Sequence, residues 1–328
     1  MSQSATEFVG PGQGGLSPQA LSPSGAVARS PRQLFWARFK DDKLAIFGAG
    51  LILMMIMLAL SAGIWETQVV HHPFDEQYVG SVVDGVKEPL MLSDFGTPLG
   101  PNKQFWMGAD DLGRDLFVRV LYGARVSLKI AIVATGIEVV IGVVVGMLAG
   151  FFKGWIDTVM SRFMDLILSI PFLLLGIALS VVWGGGEGIV IFLISFFGWP
   201  YIARIVRGQV LSLRESQFVE AAYSIGASSR FIMFREILPN LVAPIIIYAT
   251  LIIPVNILGE AALSFLGVGV QEPTPAWGTM LARATGYVSY GAAWWYMFYP
   301  GLALFLTVLG FNLLGDGLRD SLDPKTGR

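Results

Sequence analysis

The chain has 328 residues, of which 54% are hydrophobic and only 14% are charged, and its formal net charge at pH 7 is -2. Soluble domains are usually about one-quarter charged. This composition, with a mean hydropathy of +0.64, therefore excludes a water-soluble globular protein and predicts an integral membrane protein. The chain has no cysteine, which excludes disulfides, thiolate metal sites and a cysteine nucleophile.

The first 43 residues are predicted to form a cytoplasmic tail with two parts. Residues 1–31 are rich in Gly, Ser, Pro and Gln and poor in large apolar side chains, which predicts disorder. Residues 32–43 combine basic and aromatic side chains, a composition that is typical of a short helix at a membrane interface. No signal peptide is predicted, because the first apolar run begins only near Leu44.

Six segments of the sequence are apolar enough to cross a membrane as helices, which requires about 20 residues each. They are residues 44–65, 126–150, 162–183, 188–206, 241–267 and 296–317. With the N-terminus inside, 15 of the 22 lysines and arginines lie on the inner side, whereas the outer loop 66–124 carries nine acidic and four basic residues. The positive-inside rule therefore predicts that both termini, including the tail 318–328, are cytoplasmic. The predicted fold class is an all-α integral membrane protein with six transmembrane helices, five of them in a core over 125–317.

The outer loop 66–124 ends in a polar motif that consists of Asp110, Asp111, Gly113, Arg114 and Asp115. Either of the first two aspartates can cap a helix, and Arg114 can form an ion pair with either neighbouring acid. Earlier in the loop, His71 and His72 are adjacent. No third ligand lies near them in the sequence, so no metal site is predicted.

Two carboxylates, Glu138 and Glu260, fall inside predicted transmembrane segments. A carboxylate in a membrane is costly and faces protein or water. One interpretation places both acids and Ser264 on a translocation path or a subunit seam, and the other pairs the acids structurally at helix interfaces. For Glu138 the structural interpretation is favoured. A hypothesis from another functional class uses both acids as a proton path in a secondary transporter or channel, but no inverted repeat supports it.

Residues 216–239 predict an amphipathic helical hairpin between two apolar segments. The predicted apolar faces are Phe218, Ala221, Ala222 and Ile225 on the first helix and Phe231, Phe234 and Leu238 on the second. Gly226 ends the first helix, Ser228 or Ser229 caps the second, and Pro239 breaks or kinks the chain before the next apolar run.

The hairpin sequence resembles the EAA loop of ABC-importer permeases. The matching positions are Glu220, Ala221, Ala222, Gly226, Leu238 and Pro239, with Ala227 and Ser228 beside the glycine. The chain departs from the pattern at Glu236, where the family often has isoleucine. The resemblance implies that the hairpin is a cytoplasmic coupling helix that docks on an ATPase subunit. The alternative is an interfacial hairpin without a partner.

The string G-x-DDLGRDLF-x-RVLYGAR-x-SL, from Gly108 to Leu128, resembles C-type permease subunits of dipeptide and oligopeptide importers. This similarity covers about residues 32–326, apart from an insert at about 68–104. It implies the type I ABC importer permease fold and import of di- or oligopeptides across a bacterial cytoplasmic membrane. The implied partners are a second homologous permease subunit in a heterodimer, two ATPase subunits and an extracytoplasmic substrate-binding protein.

The sequence predicts a non-catalytic chain that binds no cofactor itself. It lacks the Gly-x4-Gly-Lys-Ser/Thr phosphate loop, so ATP and Mg are expected on the partner subunits. Its two histidines lie together in the outer loop, which excludes a credible Ser-His-Asp arrangement. No nucleic-acid partner is expected. The identity of the cargo stays open among peptides, glutathione, metal chelates and other small solutes.

Overall fold

The computed structural model describes residues 31–80, 82–83, 86–87 and 89–322. The predicted disorder of the N-terminal tail therefore lies outside the described residues, except at residue 31. Within the described chain almost all regular structure is helical. The exception is a small antiparallel pair in the outer loop, β1 (Val82–Val83) and β2 (Val86–Lys87).

The helices follow one another from α1 near the start of the described chain to α11 at its end. They are α1 (Pro31–Asp41), α2 (Lys43–Ile64, continued by a π-helical turn at Trp65–Val70), α3 (Leu116–Phe152), α4 (Gly154–Ser169), α5 (Phe172–Trp183), α6 (Glu187–Arg214), α7 (Gln217–Ser224), α8 (Ser229–Phe231, continued by a π-helical turn at Ile232–Ile237), α9 (Leu238–Phe265), α10 (Trp277–Val288) and α11 (Trp294–Leu322).

Among the described residues, five helical segments are long and apolar enough to cross a membrane, and the pair α4 and α5 forms a sixth if it is counted as one broken span. This confirms the predicted class of a multi-span, all-α membrane protein. The third predicted span is not one helix, because α4 and α5 are bent by 75° at the break. Proline disfavours helical geometry in the residue before it, and Ile170, which precedes Pro171, is extended at φ -80° and ψ 125°.

Helix α3 begins at Leu116, inside the segment that the sequence assigned to the outer loop. Asp115 caps this helix, because its side chain accepts hydrogen bonds from the backbone N–H groups of Phe117 and Val118. A helix of 37 residues is about 55 Å long, against about 30 Å for the hydrocarbon core of a bilayer. Part of α3 therefore projects beyond the membrane. The outer loop after α9 also contains a helix, α10, that the sequence analysis did not predict.

Three glycines on one face of α3 set its close packing against α6. Cβ atoms added at Gly142, Gly146 and Gly150 would lie 2.7 Å from Ile202 Cβ, 2.5 Å from the Ala203 carbonyl oxygen and 2.8 Å from Val210 Cβ. Glycines spaced one turn apart lie on the same side of a helix and allow two backbones to approach. The α3–α6 contact is the scaffold on which the inner hairpin and the membrane groove are built.

The outer segment before α3 folds over the outer end of the helices. It has a small core of its own, made by Tyr78, Met91, Phe105 and Ala109. Backbone hydrogen bonds connect its parts, such as the one from the Met91 N–H to the Tyr78 carbonyl at 2.8 Å. The insert at 68–104 is therefore packed against the polar motif that follows it.

Candidate functional site

The inner hairpin consists of α7 and α8, which meet at Gly226. This glycine has φ +81°, in the left-handed region, and a Cβ added to it would meet nothing within 4 Å. The need for glycine is thus a matter of backbone geometry rather than space. The Ser228 side chain accepts a hydrogen bond from the Phe231 N–H at 3.3 Å and caps α8. The predicted corner and the predicted cap at Ser228 are confirmed.

The predicted apolar faces of the hairpin are mostly exposed, and a different set of side chains packs inward. The side chains that pack inward are Val219, Ala222, Ile232, Met233 and Ile237. The large apolar side chains that remain exposed are Phe218, Tyr223, Ile225, Phe231 and Phe234. Of the first predicted face only Ala222 is buried, and Leu238 of the second is half-buried. The π-helical turn after α8 is wider than an α-turn, which turns different residues of the second arm toward the core.

The buried side of the hairpin rests on the inner ends of α3 and α6. Its side chains share one apolar cluster with residues of those helices, Met147, Phe151, Ile202, Val206 and Val210. Arg214, at the end of α6, donates a hydrogen bond to the Phe151 carbonyl at 2.5 Å and lies over the Phe151 ring. The hairpin is therefore attached firmly to two membrane helices, while its other side is uncovered.

At the outer end, two buried arginines join the polar motif to the loop before α10. Arg114 Nε lies 2.7 Å from Asp110 Oδ2, and its Nη1 lies 2.7 Å from Glu272 Oε2. Arg119 places its Nη2 at 3.2 Å from the same Glu272 carboxylate. The sequence left open which acid pairs with Arg114, and the structure places Asp111 farther away, at 3.9 Å.

Asp111 and Asp115 bind other partners in this outer cluster. Asp111 accepts hydrogen bonds from Arg283 of α10 at 2.7 Å and from the Tyr296 hydroxyl of α11 at 2.8 Å. Asp115 lies 2.6 Å from His72 Nδ1. The motif thus ties the outer segment to α3, α10 and α11. Sequence reasoning did not assign Glu272 or Arg283 to this cluster. For Glu272 the sequence offered only a weak signal, an acidic residue beside two prolines.

The environment of Glu272 favours its ionised form. Burial alone would raise the pKa of this carboxyl. The hydrogen bond from Arg114 and the positive charges of Arg119, Arg114 and Arg283 outweigh burial and hold that pKa below its usual value. The ion pairs of the outer cluster therefore depend on a carboxylate that stays charged at neutral pH.

The two intramembrane acids have separate, local partners. Glu260 is fully buried and accepts hydrogen bonds from the Ser127 hydroxyl at 2.8 Å and the Ser264 hydroxyl at 2.7 Å. Glu138 is fully buried as well and accepts one hydrogen bond from Asn256 Nδ2 at 3.1 Å. Each acid joins α3 to α9, as the structural interpretation expected. Sequence reasoning missed Asn256 because an amide carries no charge.

A groove in the membrane region lies beside the Glu138–Asn256 pair. It has a volume of about 640 Å³ and opens where the α4–α5 break faces α6 and α9. Its walls are formed by Leu168, Ile170, Pro171, Phe172, Ile194, Phe197, Gly198, Tyr201, Ile205, Tyr248, Ile252, Val255, Asn256 and Gly259. Glu138 lies behind this wall, whereas Glu260 and Ser264 are not among the lining residues.

Comparisons with known proteins agree with this architecture. Residues 142–328 match the family described as "Binding-protein-dependent transport system inner membrane component", and residues 30–80 match the "N-terminal TM domain of oligopeptide transport permease C". The chain is 42% identical over 299 residues to the glutathione transport system permease protein GsiD of Escherichia coli O6:K15:H31 (strain 536 / UPEC), which covers 90% of this chain and 91% of the relative. The same values hold for GsiD of Shigella boydii serotype 4 (strain Sb227).

A solved structure supports the fold. The MetNI methionine ABC transporter, in an inward facing conformation, contains a chain that superposes on this one with a TM-score of 0.52. The two are 22% identical, and the match covers 62% of this chain and 96% of the other. The uncovered part includes chain that the shorter transporter subunit lacks.

Proposed function

The chain belongs to the family of binding-protein-dependent transport system inner membrane components, and we propose that it moves short peptides across a bacterial cytoplasmic membrane. Membership makes the chain the non-catalytic, membrane-spanning permease of an ABC importer of the peptide type, which works with an ATPase and a substrate-binding protein. The proposal adds the cargo, the membrane, the subunit arrangement and the surface that receives the ATPase.

The observation that carries the proposal is the two-sided inner hairpin. One side is packed on α3 and α6, and the other exposes large apolar side chains, of which Ile225 is 84% exposed. Several large apolar side chains left exposed on one short segment are typical of an interaction site. The proposed coupling segment consists of Glu220, Ala221, Ala222, Gly226, Ala227, Ser228, Leu238 and Pro239. A rigid attachment to two spans suits a segment that transmits motion from an ATPase.

The partner subunits supply what this chain lacks. Its sequence has no phosphate loop, so ATP and Mg²⁺ are proposed to bind to two ATPase subunits, with no cofactor on the permease and no nucleic-acid partner. A second, homologous permease subunit would face the open side of the membrane groove and form a heterodimer. The substrate-binding protein would deliver cargo at the outer end, where the outer cluster holds α3, α10 and α11 together.

The relatives support a peptide as cargo. Their names refer to glutathione transport, and glutathione is a tripeptide. The groove volume of about 640 Å³ falls within the range of about 300–1,000 Å³ that is common for small-molecule sites. We propose di- and oligopeptides of this size as cargo, with glutathione as the first to be assayed.

The coupling surface is tested by changing Ile225, whose side chain is largely exposed. Ile225→Asp is expected to leave the melting temperature of the permease almost unchanged, because exposed substitutions usually alter stability by less than about 0.5 kcal/mol. The same change places a charge in the proposed apolar contact. It should strongly reduce co-purification of the ATPase and cargo-stimulated ATP hydrolysis in the reconstituted importer. Ile225→Leu is the matched control and should retain both. Normal ATPase binding and uptake by Ile225→Asp would exclude this surface as the docking site.

The proton-path alternative makes an opposite prediction for the intramembrane acids. A proton-coupled carrier requires a titrating carboxylate, whereas an ATP-driven permease does not. Glu138→Gln and Glu260→Gln, singly and together, are therefore expected to retain ATP-dependent uptake per assembled complex. Uptake should also survive collapse of the proton gradient at constant ATP. Loss of uptake with the gradient, while ATP stays high, would replace the importer mechanism with proton coupling.

A further inference from the structure

The wall of the membrane groove is mostly apolar, and its polar side chains are few. Among the residues that line it, Tyr201, Tyr248 and Asn256 carry polar groups. Tyr201 and Tyr248 each carry a phenolic hydroxyl, and Tyr201 is 57% exposed. Asn256 differs from them because it is only 6% exposed and is held by other polar groups from behind. Its orientation is therefore fixed by the protein.

Hydrogen bonding determines which atom Asn256 offers to the groove. Its Nδ2 donates to Thr135 Oγ1 at 2.9 Å and to Glu138 Oε2 at 3.1 Å. A primary amide nitrogen has two hydrogens, so both are used. Among the described residues, no donor bonds Asn256 Oδ1. The side chain thus turns its donors toward α3 and leaves a carbonyl oxygen, which accepts hydrogen bonds only.

The acid behind Asn256 adds further acceptor capacity. Glu138 Oε1 is buried and has no hydrogen-bond partner within the described chain. This oxygen lies against Gly198, which itself lines the groove. Glu138 Oε1 is therefore behind the wall, whereas Asn256, whose Oδ1 has no donor either, is itself a lining residue. Buried polar groups normally have partners, and the chemistry that complements an excess of acceptors is a donor.

We infer that Asn256 contacts the cargo during passage and that its Oδ1 accepts a hydrogen bond from an N–H group of the peptide. Thr135 and Glu138 are positioning residues, since they fix the amide without reaching the groove themselves. The inference rests on the proposed function, because the groove is a passage only if the chain carries peptides. It assigns the cargo a specific chemistry at this point: an N–H donor rather than a carbonyl or carboxylate.

The test uses the complete importer in proteoliposomes, with ATP inside and glutathione-loaded binding protein at saturation. Asn256→Leu removes the acceptor at nearly constant size. It is expected to lower the maximal uptake rate per assembled complex about tenfold, which corresponds to about 1.4 kcal/mol. The concentration of loaded binding protein that gives half-maximal uptake should not change. Asn312→Leu, at an exposed asparagine of α11, is the matched control and should transport at the wild-type rate.

A swap variant separates an acceptor from a donor at this position. In the double variant Asn256→Asp with Glu138→Gln, the side-chain amide at 138 donates to the carboxylate at 256. The hydrogen-bonded pair is preserved, but the side chain at 256 no longer carries an N–H group. Uptake within about twofold of wild type is expected if the groove requires an acceptor. Uptake as low as that of Asn256→Leu would overturn the inference. The swap also decides the question if the leucine variant fails to assemble.

Two further measurements distinguish a peptide N–H donor from an inorganic cation, and the role of Asn256 from the proposed function. Replacement of all Na⁺ and K⁺ by choline should leave wild-type uptake intact, whereas its loss would assign the acceptor to an inorganic cation and overturn the inference. Wild-type uptake that needs no ATP would refute the proposed function itself. ATP-dependent wild-type uptake with a fully active Asn256→Leu would refute only the role of Asn256.

Discussion

Gly198→Ala is expected to disrupt the junction of α3, α6 and α9 through one methyl group. A Cβ added at Gly198 would overlap the Oε1 and Cδ atoms of Glu138 and lie 2.9 Å from its Cγ. Ordinary contact begins near 3.4 Å, so the carboxylate has to retreat by about 1 Å or more. Such a movement breaks the hydrogen bond from Asn256, which now measures 3.1 Å.

The size of the effect follows from the two losses. Overpacking in a filled interior costs about 1–3 kcal/mol, and a lost hydrogen bond that leaves the buried Asn256 donor unpaired costs about 1–3 kcal/mol. A total of about 2–6 kcal/mol corresponds to a melting temperature lowered by about 4–24 °C, at the roughly 2–4 °C per kcal/mol that applies to large soluble domains. The measurement is a thermal melt of the purified permease in detergent.

Two controls make this reasoning refutable. Gly208 lies on the same helix, and a Cβ added there meets nothing within 4 Å, so Gly208→Ala should melt close to wild type. Glu138→Ala removes all three atoms that the new methyl group would meet. In a double-mutant cycle the pair Gly198→Ala and Glu138→Ala should therefore show coupling of about 2 kcal/mol. Equal melting of the two glycine variants, or no coupling, would refute the predicted clash.

Two other predictions concern the outer end of the protein and the orientation of the chain. Because the pKa of Glu272 is lowered, its stabilisation is present above its ordinary pKa of 4.5 and is lost as the pH falls through the lowered value. The melting temperature of the wild type should therefore fall more steeply than that of Glu272→Gln between pH 7 and pH ~3. Parallel curves of melting temperature against pH would contradict this. In the cysteine-free background, an impermeant maleimide should label Asp94→Cys in intact cells and Ser228→Cys only after the membrane is opened. The reverse pattern would contradict the orientation.

The elements that sequence predicted well depend on local chemistry. Long apolar runs predicted the spans, since about 20 apolar residues in a row are typical of a membrane-spanning helix. Gly226 predicted a corner, because the requirement for a left-handed backbone is encoded at that one residue. The span predicted at 162–183 is instead two helices bent by 75°, because the extended Ile170 before Pro171 ends α4.

The elements that sequence did not predict depend on distant partners. Arg114 bonds Glu272 across 158 positions of the chain, and Asn256 bonds Glu138 across 118. Periodicity carries no information about such pairs. The sequence did not predict which side of the second arm of the hairpin packs inward, since the π-helical turn at Ile232–Ile237 breaks the period of 3.6 residues on which face assignments rely.

Helix α3 brings the outer cluster, the groove wall and the inner hairpin onto one element. Arg119 lies in the outer cluster, Glu138 supports the groove wall, and Phe151 packs under the hairpin. From the first to the last of these residues the helix rises about 48 Å. Its hydrogen-bonded backbone is continuous from Leu116 to Phe152, so a tilt imposed at the hairpin displaces the outer cluster and the groove as well. The buried pairs that join α3 to α9 extend this constraint to a second span. An ATPase that moved the hairpin would therefore change the groove and the outer end together, and neither place would need a separate conformational change of its own.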